Sequence, residues 1–507
     1  MRRESLSGLK NILESSISEP KPTKNAANEQ EKRMITERKC PAAKKCSGCQ
    51  LSNMTYEQQL EWKQKDVEKL LGKFGKVNKV IPMENPYNYR NKVQAVFRSD
   101  RSGRIISGVY QSSRNGVVGV DSCMLNDPTA DKIILGIREL MRSFKLMPYD
   151  EGTGRGFLKH VLVRVGKKSG EVLVTIVGGS PMFPKKRDFV NALVKRFPEI
   201  TTVTFSVNKT DDMMVLGEKN ETLFGDGYIT DELCGKRFRI SPRSFYQVNP
   251  TMTEKMYAYA ISAAALNKKE TLLDAYSGIG TIGIIASDYA GQVQGIEYNA
   301  SAVRDAVRNC QENGLTRNIA FNKGDAGEYL REKAKIGTRF DAVIMDPARA
   351  GADRMFLNAL VKIAPKRIVY ISCSPAALAR DLKTLEKKYT VADIQPFDMF
   401  PHTRHVETVV LLSKLKSTHH IEVELKTDEL DLTSAESKAT YDEIKAYVKK
   451  HTGLTVSSLN IAQVKQKCGI IERENYNKAK SKDSRQPKRT KEKEEAIVDS
   501  LKYFKMI

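Results

Sequence analysis

The chain is 507 residues long, enough for two to four domains and a sizeable core. Its 84 Lys and Arg against 61 Asp and Glu leave a formal charge of +23, which favours a polyanionic partner, nucleic acid before any other. No stretch approaches the ~18 consecutive apolar residues of a membrane helix. The first residues carry no apolar run of a signal peptide, and eight cysteines over this length suit a reducing cytosol better than a secreted disulfide framework.

Residues 1–39 are polar and of mixed charge, and they read as a disordered tail. Cys40, Cys46 and Cys49 follow, with Gly48 turning the last two toward one centre, and Cys123 is the nearest candidate for a fourth ligand. Four thiolates suit a tetrahedral zinc or an iron–sulfur cluster, and spacing leaves that choice open. The spacing of Leu60, Val67, Leu70 and Leu71 predicts a helix over 54–74. From Val77 to about Gly235 the pattern becomes strand-like, at 93–97, 158–165, 171–177 and 202–207, with one helix over 184–197. Basic residues interleave with aromatics at Tyr87, Tyr89, Arg90, Lys92, Phe97 and Arg98. Such a surface stacks bases and neutralises phosphates, although an ordinary exposed strand looks the same.

The second half carries the chemistry. Asn249 suits an N-cap and Pro250 the first helical position, so Gln247 stands just before a helix over roughly 252–266. The stretch Thr271 to Gly283 is a strand, a glycine turn and a helix, the opening unit of a doubly wound sheet, and Gly278, Gly280 and Gly283 match G-x-G-x-x-G. Glu297 lies where an acid holds ribose hydroxyls. This leaves NAD or S-adenosylmethionine as cofactor. Asp274 at the strand end, Gly324-Asp325 after a third strand and Asp346-Pro347 after a fourth favour S-adenosylmethionine. In Ile368 to Pro375 an apolar strand runs into Cys373 and is stopped by Pro375, which puts the thiol at a strand's carboxyl end, where such sheets place their ligands. A buried structural cysteine is the plain alternative.

Asp346-Pro347-Ala348-Arg349, then Tyr370-Ile371-Ser372-Cys373, then Phe397 to Glu407 resemble the three signatures of the RNA uracil-C5 methyltransferases. The cysteines 40, 46, 49 and 123 are similar to the ligands of the branch that carries an iron–sulfur cluster and methylates 23S ribosomal RNA. The resemblance covers roughly residues 40–415. It implies an α/β chain: a Rossmann-like methyltransferase domain over 236–418 and a β-rich central domain over 40–235 with a [4Fe-4S] cluster, zinc being the lesser alternative. It also implies S-adenosylmethionine bound by Gln247, Tyr276, Glu297 and Asp346, a Cys373 nucleophile and a Glu407 base. Uracil C5 is a weak nucleophile, so a thiolate must first add to C6 and a base must later take the C5 proton. The target has to be single-stranded or flipped for the thiol to reach it.

Ser374 stands where the family usually has asparagine, and Ala377 where threonine is common. The amino-terminal TRAM barrel of many relatives is not expected here. Beyond 430 a helical extension is expected, a small helix pair over 441–468 followed by a flexible run, 477–493, with eight Lys and Arg against two acids. The reading is thus a cytoplasmic, monomeric enzyme of ribosomal RNA modification. Its rivals are a tRNA uracil methyltransferase, an RNA cytosine methyltransferase, an NAD-dependent oxidoreductase and a non-catalytic iron–sulfur RNA-binding protein.

Overall fold

Thr55 opens the first helix, α1 (Tyr56–Leu71). Its hydroxyl accepts the Gln58 N–H at 3.3 Å while the Gln58 side-chain carbonyl accepts the Thr55 N–H at 3.0 Å, so a reciprocal capping box satisfies two open donors. The computed structural model describes residues 38, 40–111, 116–209, 215–217, 220–415, 441–468 and 490–504. Most of the expected tail over 1–39 and the basic run from 477 to 489 lie outside these residues. The chain separates into two compact units, Met1–Lys416 and Ser417–Ile507.

In the first unit come β1 (Lys92–Ser99), β2 (Ile105–Tyr110), β3 (Val117–Gly119), α2 (Pro128–Ser143), β4 (Leu158–Val165), β5 (Val172–Gly178), α3 (Lys186–Arg196), β6 (Ile200–Val207) and β7 (Asn220–Phe224). The strands form one sheet in the order β3-β2-β1-β4-β5-β6-β7, antiparallel except for β5 with β6, which α3 connects. Every second residue faces the helices: Val93, Ala95 and Phe97 of β1 and Val161 and Val163 of β4 share a core with Ile133 and Ile137 of α2 and Phe189 of α3. A hairpin, β8 (Ile229–Leu233) and β9 (Lys236–Ile240), follows. Its two-residue turn, Cys234-Gly235, has φ of 48° and 73°, the primed geometry that matches strand twist.

The second sheet is built from α4 (Pro250–Ala264), β10 (Thr271–Ala275), α5 (Thr281–Ala286), β11 (Gln292–Glu297), α6 (Ala300–Glu312), β12 (Ile319–Lys323), α7 (Ala326–Lys335), β13 (Ala342–Met345), α8 (Arg354–Ile363), β14 (Arg367–Ser372), α9 (Pro375–Leu385), β15 (Tyr389–Phe397) and β16 (Glu407–Lys414). Its order is β12-β11-β10-β13-β14-β16-β15, parallel through β14, with β16 antiparallel to both neighbours. The central strands are mostly apolar because both faces are covered, by Met256 and Ile261 of α4 and Ile284 of α5 on one side and by Leu330, Phe356 and Leu378 of α7, α8 and α9 on the other. Val67 and Leu71 of α1 join the second of these layers, so the first helix packs on the parallel sheet. Strand order reverses at β10, which opens a crevice between the carboxyl ends of β10 and β13. Among the described residues no helix is long and apolar enough to cross a membrane.

Among its described residues the second unit holds three helices, α10 (Tyr441–Thr452), α11 (Ser458–Lys467) and α12 (Lys491–Tyr503). A helix pair was expected, and the third helix is a correction. Two short helices leave an apolar stripe bare, and Ile497 and Leu501, four residues apart on α12, close it over Ile444, Val448, Ile461 and Val464. The last residues of the basic run therefore begin a helix, with Thr490 at its N-cap.

Candidate active site

The crevice is lined by strand ends. Asp274, fully buried on β10, accepts the Gly283 N–H through Oδ2 at 2.8 Å, while its Oδ1 has no partner and burial pushes the carboxyl up to about 8. Ser277 Oγ, just beyond, is also buried without a partner. Tyr276 takes a φ of 63° to turn the chain off β10. Gly280 is needed where it stands: its φ is +84°, and a Cβ there would lie 2.7 Å from the Phe321 ring. Glu297 closes β11, with Oε2 receiving the Gly278 N–H at 3.0 Å and Oε1 the Asn299 N–H at 2.7 Å. Gln247, buried ahead of α4, points its amide at Asp346 Oδ2, 3.5 Å away. Asn249 caps α4 as expected, and its amide also donates to Met399 O at 2.8 Å.

Register brings the reacting groups together. In the β14–β16 ladder Ser372 faces Thr408, so one step further Cys373 stands across from Glu407. Met345 pairs with both Ala275 and Tyr370, which sets Asp346 between the two strand ends. Burial, then the nearby Glu407 and Asp346 carboxylates, push the Cys373 thiol up to about 11, and Arg349 opposes them. Glu407 is itself buried and held well above the carboxylate range by burial and by Asp346. Three acidic groups thus share one site: Asp346 and Glu407 both raise Cys373, and Asp346 raises Glu407. Ser374 has a definite place: it is the N-cap of α9, accepting the Ala377 N–H at 3.4 Å, with Pro375 at the first helical position. Serine and asparagine cap about equally well, so the departure from the usual residue costs the helix little.

Other residues of the site were not foreseen. The loop from Asp398 to Val406, which delivers Glu407, is tied to α1: Tyr56 OH donates to Asp398 at 2.7 Å, and fully buried Lys63 pairs with Asp398 and donates to Phe400 O at 3.0 Å. Gln59 Oε1 accepts the His402 N–H at 2.9 Å. Gln59, Lys63 and Val67 lie at i, i+4 and i+8, so two polar residues in the apolar stripe of an amphipathic helix were the available signal. Phe245, two residues before Gln247, is a large ring left 66% exposed.

All four cysteines 40, 46, 49 and 123 are free thiols. Burial and then the neighbouring Cys123, Cys46 and Cys40 push Cys49 up to about 12. Gly48 N–H donates to Cys46 Sγ at 3.4 Å, and the Asp131 carboxylate accepts the Cys123 N–H at 2.7 Å. Among the described residues no three His, Cys, Asp or Glu side chains are placed to hold a single metal ion.

Residues 209–415 match the family model described as tRNA (Uracil-5-)-methyltransferase. An uncharacterized RNA methyltransferase of Halalkalibacterium halodurans is 39% identical over 74% of this chain and 82% of its own length. One from Caldanaerobacter subterraneus subsp. tengcongensis is 40% identical over 74% of this chain and 84% of its own. Among solved structures, the Pyrococcus abyssi tRNA (uracil-54, C5)-methyltransferase in complex with S-adenosyl-L-homocysteine is similar at 28% identity and a TM-score of 0.60, over 74% of this chain and 87% of that one.

Proposed function

The chain belongs to the RNA uracil-5-methyltransferase family, and from that premise we propose that it transfers the methyl group of S-adenosylmethionine to C5 of a uridine in 23S ribosomal RNA in the cytoplasm. The observation that carries the reading is the register that sets Cys373 across from Glu407 with Asp346 beside them. Gln247, Tyr276, Glu297 and Asp346 form the cofactor set. The partnerless Asp274 Oδ1 and Ser277 Oγ fit a cationic, polar ligand in the same crevice. S-adenosylmethionine supplies an electrophilic methyl group on a sulfonium.

The protein does the rest. The Cys373 thiol gives its proton to the Asp346 carboxylate, and its sulfur bonds to C6 while the C5–C6 π electrons move toward O4. C5 then takes the methyl group, and the carbon–sulfur bond of the sulfonium breaks. Glu407 removes the C5 proton, the C6–sulfur bond breaks, and Cys373 leaves as thiolate. Phe245 offers a face on which a flipped base stacks.

The cysteines 40, 46, 49 and 123 support the [4Fe-4S] branch. Each of the other three lies within electrostatic reach of Cys49, and the reading rests on the resemblance of these four cysteines to the cluster ligands of that branch, not on a metal site among the described residues. Such a cluster ties the 40–49 loop to Cys123 and takes no part in the methyl transfer. The division at 39/40, 235/236 and 418 is retained as the domain organisation.

The second reading is a tRNA substrate, favoured by the match to the tRNA (Uracil-5-)-methyltransferase family model and by the tRNA enzyme among the similar structures. Transfer of labelled methyl to unmodified 23S ribosomal RNA and to unmodified tRNA, with nucleoside analysis, tests both. Label in 5-methyluridine of ribosomal RNA alone is expected. Label in tRNA alone would keep the chemistry and overturn the substrate.

A further inference from the structure

A groove of about 680 Å3 lies beside the cysteine loop and shares no lining residue with the catalytic crevice. One wall is the segment from Pro41 to Lys45, and the others are the β1–β2 hairpin, the edge strand β3 and the outer face of α2. Five cations line it: Lys44, Lys45, Arg104, Arg138 and Arg142. Two carboxylates face them, and both are engaged. Asp100 accepts the Ser102 and Arg104 N–H groups of its own turn, each at 2.9 Å, and the Arg104 guanidinium at 3.0 Å, while Asp121 accepts Arg138 at 2.7 Å. Lys44, Lys45 and Arg142 are exposed and meet no carboxylate among the described residues. The groove therefore keeps a positive excess and an open mouth.

The positive charge continues toward the nucleophile. Past Cys49 the chain donates from Leu51 N–H to His402 O at 3.1 Å, and Gln50 Oε1 accepts the Arg404 N–H at 3.4 Å. Arg404 lies over the Trp62 ring, 5.8 Å from its centroid, and next to it His405 Nδ1 is 3.5 Å from Arg349, whose charge reaches Cys373. Arg404 and Arg349 thus add positive charge between the end of the cysteine loop and the thiol.

We propose that this groove holds the sugar–phosphate backbone of the RNA strand that leads to the target uridine, so that phosphate contacts at Lys44, Lys45, Arg104 and Arg142 set its register. The inference rests on the reading of the chain as an RNA methyltransferase. Exposed Lys and Arg side chains contribute affinity here without sequence preference, because each neutralised phosphate releases a counterion.

The test titrates the full chain and its Arg104→Ala/Arg142→Ala variant with a fluorescent, unmodified 23S ribosomal RNA transcript over a range of salt, and with S-adenosylmethionine by calorimetry. Loss of two phosphate contacts is expected to weaken RNA binding about tenfold near 0.1 M salt and to lower the slope of log K against log salt by roughly 1.5. Cofactor affinity stays, and Arg104→Lys/Arg142→Lys restores RNA affinity and slope. Unchanged affinity and slope in the alanine variant overturn the proposal. A loss that the lysine pair fails to restore also counts against it, because it places the effect in packing and not in charge. Binding is read without turnover: a parent chain that binds RNA and methylates no uridine refutes the reaction, while the two slopes still judge the groove.

Discussion

Of the two seven-stranded sheets, the parallel one brings Asp274, Glu297, Asp346 and Cys373 to its carboxyl edge, buried or half-buried, whereas beside the antiparallel one Arg104 of the β1–β2 turn and Arg142 of α2 stand exposed to solvent. Enclosure makes each charge in the first set matter to its neighbours. Burial raises Asp274, Asp346, Cys373 and Glu407 together, and all but Asp346 are raised further by neighbouring acids. Solvation makes the second set nearly independent, with salt-screened pairs such as Arg104–Asp100 worth little each. Chemistry belongs with the first arrangement and sequence-independent grip on a polyanion with the second.

Removing the nucleophile breaks the comparison most sharply. Cys373→Ala is expected to lower methyl transfer at least ~10⁴-fold while leaving RNA and cofactor affinity in place, measured by labelled-methyl incorporation beside direct binding. Glu407→Gln is expected to slow turnover by roughly 10²–10⁴-fold and to accumulate a methylated adduct on Cys373, seen as an RNA-shifted band on a denaturing gel. Slow turnover with no such band would move the proton transfer to another residue.

The buried tie under the Glu407 loop comes next. Lys63→Met leaves the buried Asp398 charge without its cation, held by Tyr56 OH alone, and denaturant unfolding is expected to report a loss of about 3–5 kcal/mol; Lys63→Met with Asp398→Leu should recover much of it. Equal losses in the single and double variants would show that the pair acts through packing alone.

The pH dependence of the cofactor-free enzyme is a smaller effect. Asp274 has a folded-state pKa of about 8, above its ordinary value of 3.8. The folded state therefore holds this proton more tightly than the unfolded one, and the stability so gained is full below pH 3.8 and lost as pH rises toward 8. The melting temperature without cofactor should fall across the upper part of that window. S-adenosylmethionine, whose cationic groups favour the carboxylate, should raise it more at pH 8 than at pH 6 and release protons on binding. A cofactor-induced shift that does not grow with pH would refute this. The smallest change is at the cap: Ser374→Ala should cost about 1 kcal/mol and Ser374→Asn almost nothing in the same unfolding assay.

Much of the parallel sheet was legible because its function sits at strand ends, where glycine, proline and acid punctuate apolar runs over a few residues. Gly278 to Gly283, Asp346-Pro347 and Cys373 before Pro375 all have this form, and the structure places each at the edge where strand order reverses. The Asn249 cap and the Glu407 strand start were local patterns as well. What escaped was long-range. The partners Lys63 and Asp398 are 335 positions apart, and the groove draws its walls from a loop, a hairpin and a helix that only the fold brings together. Helix α12 escaped for another reason: its two core positions, Ile497 and Leu501, stand among charges that read as a solvated run. The roles given to Gln247, Tyr276, Glu297, Asp346, Cys373 and Glu407 are for mutagenesis to decide.

The central claim is that Cys373 bonds to the uracil base, and trapping tests it most directly. An RNA carrying 5-fluorouridine at the target lets addition and methyl transfer proceed, but C5 then holds fluorine where a proton should leave, so the adduct stalls. Intact-mass analysis with S-adenosylmethionine present should find one RNA and one added methyl group bound to the chain, with the link mapping to Cys373 and absent from Cys373→Ala. No adduct from an enzyme that methylates ordinary uridine, or an adduct mapping to another cysteine, would contradict the account.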